Sequence, residues 1–158
     1  MLANELATYI VAAAIMNAPI QPTESLNELL CMTEAIYFEA RGEDRVGRAS
    51  VGLVIMNRVQ SSSYPDTVCE VVSQPYQFSY RNGNVPRVVV NSIDSGDAEA
   101  LRNIVQLSID ITNKHIVDFT DNSKWYFAHN TVYPNWAGYG EVSLVVNNHT
   151  FINNLRNR

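Results

Sequence analysis

Lysine is nearly missing from this chain: only Lys114 and Lys124 occur among 11 basic residues, against 16 acidic ones. The net charge is -5, and no polybasic run exists to follow a phosphate backbone, so nucleic acid is not an expected partner. No basic side chain precedes Arg41. The apolar run at residues 7–15 therefore lacks the basic leader region of a secretory signal, and it is too short to span a bilayer as a helix. Residues 1–18 read as an apolar N-terminal helix that docks on the domain, a partner or a membrane, with an atypical export or anchoring segment as the alternative. The three histidines, His115, His129 and His149, are scattered and form no His-Glu-x-x-His pattern, so neither a metal nor a cofactor is expected. There is no Gly-x-Ser-x-Gly elbow, glycine-rich phosphate loop, internal repeat or low-complexity tract. Only two cysteines are present, Cys31 and Cys69; their spacing matches no zinc or thioredoxin-like site and leaves open a bridged pair or two buried thiols.

What the chain does have is a globular composition, 46% hydrophobic and 17% charged over 158 residues, enough for one domain. Pro19 and Pro22 end the first helical run, which places a boundary between residues 1–22 and a domain at 23–158. From Ser25, the positions Leu26, Leu29, Leu30, Thr33 and Tyr37 repeat at helical spacing and predict one buried face. Gly42 is placed as a C-cap glycine, and Glu43 and Asp44 open a second helix to about Gln60. That helix is apolar on all sides around residues 51–56 and should be central. Asn57 follows it, facing either a helix end or a cleft. Thr67 to Glu70 forms a capping box for a short helix.

Residues 74–80 alternate polar and aromatic side chains and predict a strand, with Gln77 and Ser79 on one face. Polar groups beside aromatics suit a sugar site, and an edge strand has the same pattern. Val88, Val89 and Val90 suggest another short strand. A third main helix begins near residues 94–97, carries Leu101, Ile104, Val105 and Ser108 on one face and ends near Asn113, with Lys114 and His115 complementing its dipole. Strands at residues 125–129, 142–146 and 149–152 follow, the last two joined by an Asn147-Asn148 turn, and residues 132–136 form a loop that displays Trp136. The fold class is α+β, a helical core with a small antiparallel sheet.

Chemistry concentrates at Tyr37-Phe38-Glu39-Ala40-Arg41-Gly42-Glu43. A carboxyl group following two aromatics near a helix C-terminus is open to desolvation, which favours its protonated form and suits a general acid. Glu43, four positions on, would neighbour Glu39 on an unbroken helix, but a break at Gly42 removes that geometry.

The same string, with Cys31-Met32-Thr33-Glu34-Ala35-Ile36 before it, resembles the cell wall hydrolase family of the spore-cortex-lytic enzyme SleB. Tyr64-Pro65-Asp66-Thr67-Val68-Cys69, Gln77-Phe78-Ser79, Trp125-Tyr126-Phe127-Ala128-His129 and Asn148-His149-Thr150-Phe151 extend the likeness from about Leu30 to Phe151. The resemblance implies a lysozyme-like fold and a peptidoglycan lytic transglycosylase in which Glu39 is the single acid and base. It further implies a disulfide between Cys31 and Cys69, glycan contacts at Gln77, Ser79 and Tyr126, with Asn57 as a further candidate, and supporting roles for Glu43 and Arg41, Glu43 fixing Arg41 or a backbone group. His149 is expected to brace the hairpin. Such a protein would act as a monomer at the cell wall, in an extracytoplasmic or phage-delivered setting. The competing expectations are an N-acetylmuramoyl-L-alanine amidase, a muramidase, and a glycan-binding or virion structural protein without turnover.

Overall fold

The computed structural model describes residues 23–78 and 98–156. The expectations for residues 1–22, Ser79, the strand at 88–90 and the start of the third main helix at 94–97 lie outside them. Among the described residues, four helices are followed by one three-stranded sheet. Helix α1 spans Thr23–Ala40, α2 Arg45–Val59, α3 Val68–Ser73 and α4 Ala98–Thr112. Strands β1 (Trp125–Ala128), β2 (Glu141–Val146) and β3 (His149–Asn153) are antiparallel in the order β1-β3-β2. The α+β class is as the sequence predicts.

Helix α1 packs against α2, α3 and α4, and its burial is wider than the one face expected: residues 31–37 are all buried, Glu34 included, while Leu26 and Leu30 are half-buried. Helix α2 is central because it has no solvated face over its middle: Val51 to Ile55 are all buried. Asp44 caps it, its carboxylate accepting from the Gly47 amide at 2.9 Å. Thr67 caps α3, its hydroxyl accepting from the Glu70 amide at 3.2 Å. The Glu28 carboxylate also accepts from the Val68 and Cys69 amides, a cross-helix cap that local sequence does not announce. Beside it, the Cys31–Cys69 disulfide joins α1 to α3.

Three local expectations are corrected, at Gly42, at residues 74–78 and at Trp136. Gly42 lies in the turn after α1, but its backbone is not left-handed and a Cβ there would meet nothing within 4 Å. The turn is held instead by Glu43 N–H donating to Ala40 C=O at 3.0 Å. The strand expected from residue 74 does not form over residues 74–78. The chain there makes successive turns, with Gln74 N–H on Val71 C=O, Gln77 N–H on Gln74 C=O, and Tyr76 left-handed at φ 61°. The aromatics thus separate by burial, not by strand face: Phe78 is in the core and Tyr76 is 88% exposed.

In the sheet, β3 is central and buried along its length, while β2 is an edge with a bulge between Val142 and Leu144. Asn147, at φ 49°, supplies the left-handed residue of the hairpin turn. Trp136 is not displayed; it is half-buried, edge-on to Phe127 at 5.9 Å, in a satellite cluster with Ala137 and Ile152.

Candidate active site

The last turn of α1 presents Glu39, half-buried, towards the sheet. Tyr126, from the middle of β1, donates its hydroxyl to Glu39 Oε2 at 3.0 Å, although the two are 87 residues apart. The phenol is held by its neighbours on β3. Phe151 pairs with it across the ladder and stacks on its ring at 5.5 Å and 27°, and His149 meets the ring edge-on at 5.5 Å and 72°. The tyrosine hydroxyl thus fixes the orientation of this carboxyl group beside the aromatic rings of the sheet.

Glu43 closes the other side. Gly47, in the first turn of α2, is pressed so closely between Glu43 and the hairpin that a Cβ there would sit 2.8 Å from Glu43 Cβ and 3.1 Å from Asn147 Nδ2. Only glycine allows this approach, and it brings Glu43 Oε1 to 3.5 Å from His149 Nδ1. Glu43, expected to fix Arg41 or a backbone group, faces His149, while the Arg41 guanidinium lies over the Tyr37 ring at 5.2 Å. Burial pushes the His149 pKa below the usual histidine range; the Glu43 carboxylate opposes this and His129 adds to it.

Of the other residues expected here, Asn57 is buried with its amide directed to Asp118 Oδ2, Thr120 Oγ1 and the Ser123 carbonyl, at 3.1, 3.2 and 3.0 Å. Its role is structural, but it faces neither a helix end nor a cleft: it anchors the loop that leads into β1. Asn57→Ala strands these acceptors and should cost about 1–3 kcal/mol, read as a lower midpoint in urea denaturation. Gln77 is exposed and close in sequence to the buried Phe78.

Sequence reasoning missed two contributors. The sequence assigns His149 only to the hairpin, because its approach to Glu43 and Tyr126 depends on how the sheet meets the α1–α2 turn. Arg58 carried no signal beyond ending an apolar run. It is 4% exposed, donates Nε to the Lys124 carbonyl at 2.7 Å, and lies over the rings of Tyr64 and Phe78 at 5.3 and 5.6 Å. Burial lowers its pKa, but guanidinium stays charged. It ties α2 to the start of β1 and to the segment containing Gln77.

No group of three or more metal-ligating side chains occurs among the described residues, and no helix among them is long and apolar enough to cross a membrane.

Comparison with known proteins follows the same outline. A family model described as Cell Wall Hydrolase matches residues 42–152, a span that takes in Glu43, Tyr126 and His149 and begins three residues after Glu39. The spore cortex-lytic enzyme of Bacillus cereus is 44% identical over 55 residues, 35% of this chain and 21% of that protein. That of Halalkalibacterium halodurans is 43% identical over 53 residues, 34% of this chain and 16% of that protein. The matched stretch thus spans about a fifth of the length of these curated relatives or less. Among solved structures, the catalytic domain of the germination-specific lytic transglycosylase SleB from Bacillus anthracis superposes with a TM-score of 0.64 at 29% identity, covering 85% of this chain and all of that one. The catalytic domain of Bacillus cereus SleB gives 0.61 at 28% identity with the same coverage.

Proposed function

Because the chain belongs to the Cell Wall Hydrolase family, we propose that it is a peptidoglycan lytic transglycosylase with Glu39 as its single acid and base. The observation that carries the reading is the hydrogen bond from Tyr126 to Glu39 Oε2, which fixes a carboxyl group inside a fold like that of the SleB catalytic domains. The protonated Glu39 gives its proton to the oxygen joining N-acetylmuramic acid to N-acetylglucosamine, and the bond from that oxygen to C1 of the muramic sugar breaks. The muramic 6-hydroxyl then forms a bond to C1 while Glu39, now a carboxylate, takes its proton. One strand ends in a 1,6-anhydro ring, the other in a free 4-hydroxyl, and the acid is regenerated without water. A second carboxylate is not needed, which fits the engagement of Glu43 with His149.

Tyr126 orients the acid in this scheme, and Gln77 and Ser79 are proposed to hold the glycan. Tyr126→Phe keeps the ring packing on Phe151 but removes one hydrogen bond to an ionisable group. It should lower kcat on the order of tenfold, with KM little changed. The substrate places the protein at the cell wall or cortex, reached by export or phage delivery, where it acts as a monomer. Incubation with purified peptidoglycan tests the reaction class. Soluble glycan fragments with intact stems support glycosidic cleavage, freed stem peptides would mean an amidase, and sedimentation with the wall without any release would mean a binding protein.

A further inference from the structure

Buried polar atoms normally find a hydrogen-bond partner. His149 Nδ1 has none, although the residue is only 8% exposed. The atom stops 3.5 Å from Glu43 Oε1, beyond the roughly 2.7–2.9 Å of a charge-assisted bond. The backbone of His149 is fixed, because it pairs with Ala128 on one side and Val146 on the other at the centre of the sheet. Any movement of the ring is therefore about its side-chain torsions. Its edge-on contact with Tyr126 connects Glu43, His149, Tyr126 and Glu39 into one unbroken series, with carboxyl groups at both ends.

We propose that His149, set by Glu43, is a positioning residue for the reaction assigned to Glu39: the neutral imidazole props the Tyr126 ring so that its hydroxyl stays on the acid, and a proton on the imidazole draws Nδ1 onto Glu43 and withdraws the prop. The inference rests on the glycan-cleaving reading of Glu39. Three titratable groups face the imidazole: Glu43 from the α1–α2 turn, Tyr126 from β1 and His129 from the residue after β1. Burial favours the neutral form and places the midpoint below the ordinary histidine value of 6.5, with Glu43 raising it and His129 lowering it. Above that midpoint the prop is in place; below it the prop is lost. Glu39 must begin each cycle protonated, so its own titration removes activity only as pH rises. A loss of activity as pH falls, in a chain that stays folded and absent once His149 is replaced, is therefore the mark of His149.

The test is the initial rate of turbidity loss of purified peptidoglycan as a function of pH, with thermal melts confirming that each variant is folded. The unaltered chain should show a low-pH limb. His149→Gln should lack that limb and be slower on its plateau by up to about tenfold, the limit set by losing the Tyr126 hydroxyl through which it acts. Glu43→Gln should move the limb to lower pH, because the group that raises the His149 midpoint is gone, and His129→Gln should retain it. A limb unchanged in His149→Gln would overturn the proposal. NMR titration of the free chain reads the same coupling without turnover. The Tyr126 ring resonances should follow the His149 midpoint, and resonances that stay fixed through it would also overturn the proposal. A coupled titration in a chain that releases no glycan would instead count against the reaction assigned to Glu39.

Discussion

A Glu39→Gln chain is expected to fold normally and to lose lysis of purified peptidoglycan by roughly 10²–10⁴-fold, the usual worth of a positioned acid or base. The two halves of this result have separate causes. Glutamine has almost the same volume as glutamate and keeps an acceptor oxygen for the Tyr126 hydroxyl, so the half-buried end of α1 stays in place. Its amide cannot give a proton to a glycosidic oxygen or take one from a 6-hydroxyl, so both chemical steps lose their agent. Lysis rates and a thermal melt, taken on the same preparation, read the two halves. Unchanged lysis would remove Glu39 from the mechanism, and a large fall in Tm would show that the position is structural.

Reduction of the Cys31–Cys69 disulfide has the second large effect expected here. The bridge closes a sequence separation of 38 residues, and the loss of chain entropy in the unfolded state that such a loop imposes stabilises by about 4 kcal/mol. For a domain of this size each kcal/mol moves Tm by about 2–4 °C, so melting with and without reductant should differ on the order of 10 °C. The bridge lies where α3 is also tied to α1 by Glu28, which accepts from the Val68 and Cys69 amides. Reduction should therefore loosen α3 and the turns at residues 74–78 before the α1–α2–α4 core. Equal melting temperatures in both conditions would show that the cysteines are unbridged in solution.

The elements that could be read from sequence are those fixed by nearby residues. The helical spacing of α1 predicts the helix, though burial extends all round it over residues 31–37; the apolar centre of α2 predicts its burial, and Asp44 and Thr67 cap the helices they precede. Asn147 supplies the hairpin turn because a left-handed backbone there is cheap for asparagine. Residues 74–78 misled for a physical reason: polar and aromatic alternation is shared by strands and by turns that bury one ring and expose the next, and only a neighbouring strand distinguishes them.

The site was legible in part. Glu39 stands out from its own neighbours, but Tyr126 reaches it across 87 residues, and nothing local specifies that approach. His149 and Glu43 meet only because Gly47 lets the first turn of α2 close onto the hairpin. Asn57 suits a cleft or a helix end by sequence, and the acceptors of the loop at residues 118–123 account for its burial. Local chemistry marks the proposed reacting group, whereas the residues around it depend on the sheet register and on how the sheet docks against the helices.

Mass spectrometry of the fragments released from purified peptidoglycan tests the central claim most directly. Muropeptides ending in 1,6-anhydro-N-acetylmuramic acid are the expected products, because the muramic 6-hydroxyl and not water completes the reaction at C1. Fragments carrying new reducing ends would contradict the single-glutamate transglycosylase and require a hydrolytic water instead.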